Sequence, residues 1–71
     1  MRTLESLVEE LEPIVDASSV SAILEALSDI CHLKADHIKT NWQDLAMARQ
    51  WTIAGVECNK AQDRVNRKAG V

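Results

Sequence analysis

Residues 42–68, WQDLAMARQWTIAGVECNKAQDRVNRK, decide how this chain folds, because they read as one helix with apolar residues on two opposite sides. One stripe runs through Met47, Trp51, Ala54, Cys58, Ala61 and Val65, in alternating steps of four and three. The other runs through Trp42, Leu45, Ala46, Arg49, Ile53, Val56 and Lys60. A helix on a protein surface needs one apolar stripe to face its core. A helix with two must be covered twice, and the expectation is once by its own chain and once by a second molecule.

Outward from this stretch, everything reads as helix. Ala17 to Ala54 contain neither Pro nor Gly, Pro13 is the only proline, and no segment alternates as a strand would. The fold class expected is all-α: a short N-terminal helix over residues 3–12, then an antiparallel hairpin of helices 17–39 and 41–67. Thr3 is placed to cap the first helix, with Glu5 at its positive end. Pro13 lacks the N–H that would bond back to Glu9, so the first helix is expected to stop or kink near Glu12. Asp16 reads as the cap of the second helix, with Val15 and Val20 spaced as a hydrophobic staple. Val20, Ile23, Leu24, Leu27, Ile30, Cys31, Ala35 and Ile38 give that helix one strong stripe, expected to cover the Trp42–Val56 side of the third helix.

Thr40-Asn41-Trp42-Gln43 has the form of a capping box, which places the turn at residues 39–41. The competing picture, an unbroken helix from 17 to 67, would be a rod of about 75 Å with no local core. Gly55 costs a mid-helix position roughly 1 kcal/mol, so a close approach by another helix or a kink is expected there. Small residues at Ala54, Cys58 and Ala61 favour the close approach.

Seventy-one residues form one domain, 1–71, whose core alone supplies little stability. Two cysteines are too few for a disulfide framework, and Cys31 and Cys58 read as free, buried thiols of a cytoplasmic protein. The N-terminus has no apolar run or cleavage site of a secretory signal, and no segment is apolar enough to span a membrane. The net charge of −3 is divided unevenly. Residues 1–29 hold seven acids against Arg2, whereas residues 30–71 hold seven bases against four acids. Halves of opposite sign favour packing against one another, within a chain or between two.

Three constellations invite a chemical reading. Asp29, His32 and Asp36, with Glu25, share one helix face at metal-ligand spacing, but opposite the apolar stripe, where a solvated charged face is expected instead of a metal site. Lys60, Arg64, Arg67 and Lys68 gather on the last two turns as a phosphate-contacting stripe or as plain helix-end cations. Met47, Trp51, Ala54, Cys58, Ala61 and Val65 form a seam for a protein partner. No pattern of nucleophile, cofactor cradle or metal ligands is present, so neither an enzyme nor a cofactor is expected. The reading is a homodimeric helical bundle that acts as a non-enzymatic protein–protein interaction module, a small adaptor or inhibitor of bacterial or phage type. The alternative is a nucleic-acid-binding regulator using the basic stripe, and a weaker one is a metal-binding bundle.

Overall fold

The computed structural model describes residues 3–71, with the backbone alone at Trp42. Three α-helices follow one another: α1 over Leu4–Ala17, α2 over Val20–His37 and α3 over Leu45–Lys68. A π-helical turn, Ile38–Trp42, extends α2, and no strand occurs among the described residues.

α1 begins where expected, with the Ser6 amide donating to the Thr3 hydroxyl at 3.1 Å. It does not stop at Pro13 but runs through it to Ala17. The lost bond to the Glu9 carbonyl falls on an exposed turn, where water can take the acceptor. Continuing the helix also keeps Ile14 and Val15 in phase with Leu4, Leu7, Val8 and Leu11. Asp16 therefore lies inside α1, and the cap of α2 is Ser19, whose hydroxyl accepts from the Ala22 amide at 3.0 Å.

The turn between α2 and α3 also falls later than residues 39–41. Gln43 takes the left-handed conformation (φ 53°, ψ 27°), and Asp44 caps α3 by accepting from the Met47 amide at 3.0 Å. Thr40 and Asn41 stay in the π-helical turn, held by the Asn41 side-chain amide, which donates to the His37 carbonyl at 3.1 Å. A carboxylate at a helix N-terminus is a stronger cap than a threonine, and it favours the later start. The rod is thereby broken, and α3 folds back antiparallel to α2.

The hairpin packs through small residues. α2 buries Ser21, Ser28, Cys31 and Ala35, and α3 buries Ala48 and Gly55. Half-buried Leu24 and Ile38 complete the α2 line, and Trp51, Cys58, Gln62 and Val65 complete that of α3. Both lines step by three and four residues, the spacing of a left-handed supercoiled pair. At the centre the Ser28 hydroxyl donates to the Gly55 carbonyl at 2.8 Å. At the open end the Ser21 amide donates to the Val71 carbonyl at 2.9 Å, after Gly70 (φ 70°) has ended α3.

α1 buries none of its residues, and Leu4 is 76% exposed. The radius of gyration is 13.9 Å, whereas a compact chain of this length has one of about 11 Å. A closely packed hairpin thus carries a first helix whose apolar stripe is open.

Candidate protein-contact surface

The hairpin has two unlike sides, and helix geometry explains why. In an antiparallel pair, the residue preceding each interface position lies on the same side of the pair in both helices. On α2 these residues are Val20, Ile23, Leu27, Ile30, Lys34 and His37, and on α3 they are Met47, Gln50, Ala54, Glu57, Ala61 and Arg64. The residues that follow interface positions form the other side: Asp29, His32 and Asp36 on α2, with Arg49, Thr52 and Val56 on α3. The first side is mainly apolar on α2 and at the Met47 and Ala54 end of α3, with Gln50, Glu57 and Arg64 among its α3 residues, and the other side is largely polar.

The seam expected to meet a partner is divided: Trp51, Cys58 and Val65 lie in the hairpin line against α2, and Met47 and Ala54 border it on the open side. Met47 and Ala54 are exposed, whereas Trp51, Cys58, Ala61 and Val65 are half-buried. Leu27 and Ile30 of α2 are exposed as well, on the side of the pair that Met47 and Ala54 share. An open groove of about 450 Å³ lined by Ile38, Asp44, Met47 and Trp51 marks its end at the hairpin turn. Leu27 and Ile30, assigned to the internal core by the sequence pattern, are instead exposed. The signal was present in the small residues beside them, Ser28 and Cys31, which fit a close interface better.

The internal packing also differs from the expected one. Leu45, Ile53 and Val56 are exposed, Ile53 by 53%, so the Trp42–Val56 stripe is not what α2 covers. The role of the Trp42 side chain lies outside the described residues. Gly55 is the physical reason for the change. A methyl group there would sit 3.0 Å from Cε1 and Nε2 of His32 and 3.2 Å from the Cys31 Cβ. The helices meet so closely at this point that only a line of Ser, Ala, Gly and Cys fits between them.

The other constellations are resolved into simpler parts. The His32 ring lies against Gly55 of α3 and borders an open groove with Asp29 and Asp36. Among the described residues no three His, Cys, Asp or Glu side chains converge as metal ligands. Cys31 and Cys58 are free thiols, one buried and one half-buried in the hairpin interface. In the basic stripe Lys60 pairs with Glu57 at 3.5 Å and Arg67 with Asp63 at 2.8 Å, all four side chains well exposed. Such pairs contribute little stability, but they interleave acids with the bases and weaken the stripe as a phosphate track. Arg64 and Lys68 complete the stripe on the outer side of α3. No helix is long and apolar enough to cross a membrane among the described residues.

Comparison of the chain with protein-family models, with curated proteins and with solved structures returned no match.

Proposed function

We propose that this protein is a non-enzymatic protein–protein interaction module, a small cytoplasmic adaptor or inhibitor that acts as a homodimer. One observation carries the reading. Among the described residues the only apolar ones that the hairpin buries are Cys31, Ala35 and Ala48, while Leu27, Ile30 and Met47 are exposed. A chain that keeps its larger aliphatic residues outside draws its stability from association. Trp51 is the natural anchor of that surface, since a large aromatic with one edge packed and one edge open is well suited to an interface centre.

Substituting the exposed Met47 with Glu places a charge on that surface and leaves the hairpin line intact. Light scattering of the variant is expected to give the mass of a single chain where the unaltered protein gives a larger one. An unchanged mass, with helicity retained, contradicts the proposal.

A further inference from the structure

We infer that α1 of one copy docks on the apolar side of a second copy's hairpin, parallel to the second copy's α3, so that two chains exchange their first helices. This rests on the reading of that side as a protein-contact surface and names its occupant.

Three observations favour this occupant. The first is area. The chain exposes 5689 Å², whereas a compact monomer of 7.9 kDa exposes about 4,400 Å². The surplus of roughly 1,300 Å² per chain matches what each partner buries in a permanent dimer. α1 contributes to it, since none of its residues is fully buried although Leu4, Leu7, Val8, Leu11 and Ile14 form a continuous stripe. An isolated helix of 14 residues is marginal in water, so this one requires a surface.

The second is charge. Glu9, Glu12 and Asp16 each follow a stripe residue by one position, and together they form one acidic edge of α1. When the stripe rests on the apolar side with α1 parallel to α3, the helical rotation turns this edge over the outer side of α3. There Lys60, Arg64 and Lys68 stand at almost the same spacing as the three acids, with Glu57, paired to Lys60 at 3.5 Å, on the same edge. In the opposite direction the acidic edge would overhang α2, whose basic residues do not form such a row.

The third is fit and reach. Ala54, Cys58 and Ala61 leave room for the backbone of another helix beside α3, so large residues of α1 can interdigitate there. α1 is joined to α2 through Ser18 and Ser19 alone, both engaged in helix ends: the Ser18 amide donates to the Val15 carbonyl and the Ser19 hydroxyl accepts from Ala22. So short and committed a connection holds α1 away from its own hairpin and presents it to another, the arrangement that leads to exchange of an identical element.

Two charge-reversed full-length chains test this, E9K/E12K and K60E/R64E, with the mass and dissociation constant read by sedimentation. The unaltered chain is expected to dimerise, and each variant alone to dimerise at least tenfold more weakly. An equimolar mixture is expected to recover the dimer, because each pairing of α1 with α3 in the mixed dimer again joins opposite charges. Should either variant also lose helicity alone, its return on mixing, followed by circular dichroism, reads the same way. A mixture that remains monomeric places α1 on its own hairpin and overturns the exchange. Variants that each dimerise like the unaltered chain overturn the exchange but leave the homodimer standing. An unaltered chain that is monomeric overturns both.

Discussion

The Ser28 hydroxyl reaches across the hairpin to donate a 2.8 Å hydrogen bond to the Gly55 carbonyl. That carbonyl sits on a glycine whose missing side chain lets the two helices approach, so the bond and the close contact depend on one another. Ser28→Ala is expected to destabilise the fold by about 1 kcal/mol, the net worth of a buried neutral hydrogen bond. The same change at Ser21, whose buried hydroxyl has no partner, is expected to be neutral or slightly stabilising. Chemical denaturation of the two variants side by side checks the contrast.

Gly55→Ala sets two effects against each other. Alanine gains about 1 kcal/mol of helix propensity, but its methyl group meets the His32 ring at 3.0 Å and the Cys31 Cβ at 3.2 Å. The ring is the movable end of a side chain, whereas Cys31 Cβ is fixed to α2. Overpacking of this kind costs about 1–3 kcal/mol, so the variant is expected to be less stable than the parent. Adding His32→Ala removes the nearer obstacle, and the double variant is expected to recover at least half of the loss. A denaturation midpoint for Gly55→Ala above that of the parent contradicts the close approach.

The position of the turn is tested at its two candidate caps. Asp44→Ala removes the side chain that accepts from the Met47 amide and is expected to cost about 1 kcal/mol. Thr40→Ala, in the π-helical turn, is expected to change stability by less than about 0.5 kcal/mol. The reverse ranking in thermal melts would restore the earlier helix start.

Stability that comes from association depends on concentration. The thermal midpoint is expected to rise steadily with protein concentration in calorimetry. A midpoint independent of concentration means that the hairpin stands alone.

The basic stripe is expected to bind nucleic acid weakly at most, since Glu57 and Asp63 already hold Lys60 and Arg67. A gel shift of duplex DNA that strengthens at low salt and is lost in R64E/R67E would return the nucleic-acid reading.

Much of this architecture was legible from residue types alone. The absence of Pro and Gly from Ala17 to Ala54, with no strand-like alternation, favours helix, Thr3 marks the first start, and Gly55 in mid-helix marks a close approach or a kink. The harder question was which side of α3 turns inward. A reading by hydrophobicity assigns Ile53 and Val56 to the interior because they are large and apolar. The hairpin instead selects the line through Ala48 and Gly55, because backbones in near contact leave no room for branched side chains. The caps were ambiguous for a related reason. Asp16, Ser19, Thr40 and Asp44 are all competent, and the choice falls on those at which packing ends each helix. The pattern around Met47 and Trp51 was legible as a second apolar stripe, whereas the inward turn of Trp51, Cys58 and Val65 and the exposure of Leu27 and Ile30 required the hairpin itself.

The most direct measurement is the mass of the unaltered chain by sedimentation equilibrium across a dilution series. The account predicts a species of twice 7.9 kDa that dissociates only on dilution. A mass of 7.9 kDa at every concentration, with full helicity, would contradict it.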